Sequence, residues 1–99
     1  MDYHIWVGST ARASKADGTK MRSEAVVVEI TPGWQAKQPT WTITALEKLA
    51  NDGKKVRVSG WVMYDPEHPD KLKKTRGTLW EVHPVTKVEY MESGAWKGL

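Results

Sequence analysis

Lys55-Val56-Arg57-Val58-Ser59-Gly60-Trp61-Val62-Met63-Tyr64 reads as one long strand. Val56 and Val58 alternate with Arg57 and Ser59, the period of a half-buried sheet element. Gly60 interrupts that pattern where a bulge or sharp bend would turn a barrel corner.

Immediately upstream, Thr40 or Thr42 can cap a helix just after Pro39. Ile43, Leu46, Leu49 and Ala50 then fall on one face at spacings of three and four, and Asn51-Asp52-Gly53 supplies the C-terminal stop. Before the helix, Glu24 to Ile30 is a valine-rich strand that Thr31-Pro32-Gly33 ends, because proline has no N–H for the ladder. Residues Ser9 to Ser23 are small, polar and basic, with Arg12, Lys15, Lys20 and Arg22 against Asp17, the composition of a long mobile hairpin loop. The first strand is Tyr3 to Val7, with Tyr3, Ile5 and Val7 on one face and His4 and Trp6 on the other.

Downstream, Asp65 to Gly77 is a loop with two prolines, followed by a last strand from Thr78 to Tyr90. Strict alternation puts Trp80, Val82, Val88 and Tyr90 on one face, and Leu79, Glu81, His83, Val85, Lys87 and Glu89 on the other. Pro84 marks an edge position or a local bend. Met91 to Leu99, anchored only by Trp96, is expected to be a loosely held tail, so the domain is read as residues 1–90.

The order strand, strand, helix, strand, strand makes the fold class mainly β with one helix. It is that of an OB-like partial barrel lacking the usual first strand, with an open antiparallel sheet crossed by one helix as the rival. On either reading the edge beside Tyr3 to Val7 needs a cover, from the tail, a partner or a second copy; a homodimer through an open strand edge is one expectation.

The 99 residues carry a net charge of +3 and no cysteine, which excludes disulfides and thiolate-bound zinc. No apolar run approaches the roughly 18 to 20 residues that cross a bilayer, and the N-terminus lacks the pattern of a signal peptide. A soluble, cytoplasmic protein without membrane partners is expected. Six tryptophans, three tyrosines and no phenylalanine give rings with a polar edge, suited to sitting half in a core and half at a surface.

The segments Asp2-Tyr3-His4-Ile5-Trp6, Val27-Val28-Glu29-Ile30-Thr31-Pro32, Val56-Arg57-Val58-Ser59-Gly60-Trp61, Asp65-Pro66-Glu67-His68-Pro69 and Leu79-Trp80-Glu81-Val82-His83-Pro84-Val85 are set in that order along the chain. The ordered set resembles a group of uncharacterised bacterial proteins that carry D-x-H, V-V-E-x-T-P, V-x-x-x-G-W, D-x-x-H and E-[ILV]-H-P-V segments. The resemblance implies an OB-like fold and an additional strand ahead of the D-x-H segment; it implies no activity.

Those segments supply His4, Asp65, His68, Glu81 and His83 as candidate ligands of a divalent metal, with Glu29 as a further carboxylate. Imidazole and carboxylate are the donors of hard and borderline ions, and Asp65-x-x-His68 and Glu81-x-His83 would each offer two groups to one ion. The same residues can instead hydrogen-bond among themselves and pin the 65–77 loop to the last strand. A metal-dependent hydrolase or nuclease is the catalytic reading. No serine stands in a G-x-S-x-G setting, so no activated nucleophile can be nominated.

A second set, Trp6, Arg57, Trp61 and Lys87, has the make-up of a binding face for single-stranded nucleic acid or another anionic polymer, with aromatics for stacking and cations for phosphate. Loops with Arg12, Lys15, Lys20 and Arg22 and with Lys71, Lys73, Lys74 and Arg76 flank it. Tryptophans in strands are more often core and lysine-rich loops more often solvated. Binding rather than catalysis is the expectation from sequence, with a divalent metal as the candidate cofactor.

Overall fold

The computed structural model describes residues 1–8, 25–66, 70 and 77–99. The readings of residues 9–23 as a loop, of most of the 65–77 loop, and of His68 as a ligand lie outside the described residues.

Five strands and two short helices follow one another as β1 (Tyr3–Val7), β2 (Val26–Ile30), α1 (Pro32–Lys37), α2 (Ile43–Asn51), β3 (Val56–Tyr64), β4 (Trp80–Glu92) and β5 (Ala95–Gly98). The strands form one open mixed sheet in the order β1-β2-β4-β3, with β5 also paired to β4. β1 runs antiparallel to β2, β3 antiparallel to β4, and β2 parallel to β4, where Val27 lies opposite Glu81 and Val28 opposite Val82. A parallel pair needs a crossover between its strands, and α1, α2 and β3 make it. Among the described residues, β1, β3 and β5 each pair on one side only. No helix among those residues is long and apolar enough to cross a membrane.

One face of the sheet holds the core. Val28, Ile30, Trp41, Val85 and Val88 are buried together, and Tyr3, Ile5, Val7, Trp34, Leu46, Val58, Val82 and Leu99 pack around them. Each fully buried Val or Ile contributes about 1.5 to 3 kcal/mol against its exposed state. The alternation of β1 therefore reads correctly: Tyr3, Ile5 and Val7 face the core, and His4 and Trp6 face away.

Strict alternation fails in β4. Val85 is fully buried in the core beside Val88, with the partly buried Val82 packed against them, not on the side of Glu81 and His83. The register between β3 and β4 shifts between Ser59 and Gly60 and again between Gly60 and Val62. Each shift inserts unmatched residues, so Val82, Val85 and Val88 recur every third position on one face. Gly60 and Pro84 mark this place, as the sequence suggests, and the His83-Pro84 peptide is cis. A Cβ on Gly60 would collide with the Pro84 carbonyl oxygen and lie 2.6 Å from Val82 Cγ1 and 3.1 Å from Val85 Cα.

Two elements differ from the sequence reading. Pro32 does not only stop β2: it opens α1, where a missing N–H costs nothing because the first helical N–H groups have no intrahelical partner. Trp34 of α1 stacks on Trp41 with ring centroids 6.2 Å apart. The expected loose tail is instead the end of β4, a turn at Ser93 and Gly94 with φ of 51° and 78°, and β5, whose Trp96 lies opposite Met91. Leu99 N donates to the Val88 carbonyl, and Thr40 Oγ1 and Trp41 Nε1 both donate to the Leu99 carbonyl. The tail covers β4 and the core, not the edge of β1.

α2 follows its caps. Thr42 Oγ1 accepts from Ala45 N at 3.1 Å, and Gly53 takes a φ of 65° just past the end. Leu49 is buried and Leu46 half-buried, but Ile43 and Ala50 are exposed, so the core-facing stripe is narrower than the spacing implies.

Candidate metal centre

The face of the sheet away from the core carries the chemistry. Asp2, His4 and Trp6 share it by the two-residue period of β1, and His4 lies directly opposite Glu29 of β2. The parallel register of Val27 with Glu81 and Val28 with Val82 continues to bring Glu29 level with His83 of β4. Three neighbouring strands thus deliver side chains to one spot.

His4 Nε2 lies 2.8 Å from Glu29 Oε1, and His83 Nε2 lies 3.8 Å from the same oxygen. His83 Nε2 also lies 3.1 Å from Asp2 Oδ2. Donor atoms of Asp2, Glu29 and His83 all fall within 4.8 Å of one another. His4 is not part of that set and reaches it through Glu29. Donors of one tetrahedral ion with bonds of about 2.1 Å would lie roughly 3.4 Å apart, so these side chains would have to move by up to about 1 Å to hold one. The Glu29 side chain is 9% exposed, those of Asp2 and His83 28%, and that of His4 52%, so the cluster is buried at its carboxylate centre and open on the His4 side. A carboxylate taken this far out of water requires partners, and here the partners are imidazoles.

Of the residues singled out for metal binding, the structure therefore brings together His4 and His83, through Glu29. Glu81 is buried two positions from His83 on the same face, between Val27 and Met63, and takes part in other interactions. Asp65 is half-buried, its backbone N–H donating to the Leu79 carbonyl, and its side chain is outside the cluster. Asp2 was not a candidate, although its i, i+2 spacing to His4 is the signal that places both on one face.

The residues considered for an anionic polymer separate. Arg57 Nε and Nη2 donate to the two oxygens of Glu89, each at 2.9 Å, and its guanidinium carbon lies 4.5 Å from the centre of the Trp96 ring. Lys87 Nζ lies 3.7 Å from Glu89 Oε2. The bidentate bond to Arg57, and then Lys87, holds the Glu89 carboxyl below its usual range, while Glu89 raises Arg57. Both cations are thus engaged by one carboxylate. Trp6 is half-buried opposite Val27, and Trp61 stands 71% exposed on the far edge.

No protein-family model, no curated protein and no solved structure gives a significant match to this chain.

Proposed function

We propose that this chain is a divalent-metal-binding domain whose ligands are His4, Glu29, His83 and Asp2. The observation that carries the reading is the approach of two imidazole Nε2 atoms, from β1 and β4, to a single buried oxygen of Glu29. Two imidazoles and two carboxylates suit zinc, manganese, iron or cobalt in their divalent states. Held by four such ligands, an ion would take a water or an anionic oxygen only as a fifth ligand, and would then supply the Lewis acid for hydrolysis of an ester or phosphoester. Of the fold readings, the OB-like one has the support of the helix between second and third strands and of the parallel β2-β4 pair.

Single-stranded nucleic acid has less support, because Arg57 and Lys87 already share Glu89 on the face where phosphate would lie. Titration of the metal-free protein with Zn²⁺ or Mn²⁺ while following thermal unfolding tests the proposal. At a hundredfold excess over Kd, binding adds about 2.7 kcal/mol. At about 4 °C per kcal/mol for a domain of this size, the midpoint rises by roughly 10 °C. Glu29→Gln and His83→Ala lose most of that rise. An unmoved midpoint with all the ions named overturns the proposal.

A further inference from the structure

The second half of β3 contradicts its own position. Trp61-Val62-Met63-Tyr64 is a run of apolar residues without alternation, the pattern of a strand covered on both faces in the middle of a sheet. Yet β3 is an edge, paired only with β4 among the described residues. Trp61 is 71% exposed, Val62 67%, Met63 40%, Tyr64 48%, and Trp80, packed edge-on against Tyr64 at 5.1 Å, 53%. Between Gly60 and Tyr64 there is no charge and no proline, two of the means of keeping an edge from pairing, and the register shifts beside Gly60 leave Val62, Met63 and Tyr64 in regular pairing with β4.

We propose that this edge pairs with the same edge of a second copy, antiparallel about a two-fold axis through Val62. Opposite residues in an antiparallel pair share a face, so a symmetric register must centre on a residue, and the choice of Val62 is complementary throughout. Trp61 meets Met63 of the other copy on one face, a sulfur–aromatic pair. On the other face Val62 meets Val62, and Tyr64 covers the bare backbone of Gly60, a glycine that β4 forbids to carry a side chain.

The area agrees. With each aromatic side chain offering about 150 to 250 Å², the five exposed residues leave on the order of 500 Å² of apolar surface per copy, the upper end for a monomer. Pairing two copies covers the edge backbone and part of this patch on each, which places the interface at the small, reversible end of the range. The interface is distinct from the metal ligands and does not depend on them. It also differs from the β1 edge that the sequence offers for association.

The absence of cysteine from the chain makes the test direct. Analytical ultracentrifugation from low micromolar to near-millimolar concentration is expected to show a monomer–dimer equilibrium that Val62→Lys weakens at least tenfold. Single-cysteine Val62→Cys is expected to form a disulfide-linked dimer under mild oxidation, since paired Cα atoms across antiparallel strands fall within disulfide range. Ile43→Cys, exposed on α2, is expected not to. A monomer at every concentration, or a dimer indifferent to Val62→Lys, overturns the proposal. So does a monomer that binds a labelled single-stranded oligonucleotide and loses it in Trp61→Ala.

Discussion

Arg57 and Glu89 show how an ion pair on the face away from the core gives the domain a pH response. Glu89 has an ordinary pKa of 4.5, and the bidentate Arg57 bond holds it lower in the folded state. The folded protein then binds fewer protons than the unfolded chain near and below that value, so the pair stabilises fully above about pH 4.5. The stabilisation is lost as the pH falls through the lower, folded value. Glu89→Gln is therefore expected to lower the unfolding midpoint at neutral pH, with the gap from wild type closing under acid conditions. A gap that is the same at both ends, read by thermal unfolding across pH, contradicts this. At the same scale, the proposed metal ligands were legible only by face. The two-residue period puts Asp2 with His4 and Glu81 with His83, but which strands are neighbours is a non-local fact. The β2-β4 pairing selects Glu29 and His83 and leaves Asp65 out.

Elements were legible where local chemistry decides them and obscure where a neighbouring strand does. Thr42, Leu49 and Gly53 mark α2 without help from the rest of the chain. The short β5 passed for a tail because four residues carry little periodicity, although Ser93-Gly94 is a hairpin dipeptide. The bulged centre of β3 and β4 was visible as Gly60 and Pro84, but its effect on Val85 was not, since the phase of β4 resets only against its partner. Gly60→Ala tests that centre. With the Pro84 carbonyl, Val82 and Val85 in the way, the methyl group is expected to cost about 1 to 3 kcal/mol in denaturant unfolding. Gly33→Ala in α1, where a Cβ meets nothing within 4 Å, is expected to be neutral or to add up to about 1 kcal/mol. Equal effects at the two glycines would contradict the close packing of β4 on Gly60.

On the scale of the whole molecule, the sheet divides its labour between two faces. The core face is closed by α1, α2 and the C-terminal strand, and Trp41 joins all three: it stacks on Trp34, is 4% exposed, and donates to the Leu99 carbonyl at 3.2 Å. Trp41→Ala is expected to cost about 3 to 5 kcal/mol, much of the 5 to 15 kcal/mol that holds a typical domain. A loss under 1 kcal/mol in equilibrium unfolding contradicts that role. The opposite face carries Glu29, Glu81 and Glu89, all buried, with imidazoles at one and a guanidinium at another. The mainly β character was accessible from element order, whereas the exposed run on β3 was hidden by its resemblance to a central strand. The X-ray absorption spectrum of the protein titrated with Zn²⁺ examines the proposed metal ligands most directly. The expected spectrum has nitrogen and oxygen neighbours at about 2.0 to 2.2 Å and the outer-shell scattering of two imidazoles, reduced to one in His4→Ala. A spectrum without imidazole scattering, or one that His4→Ala leaves unchanged, contradicts the proposed centre.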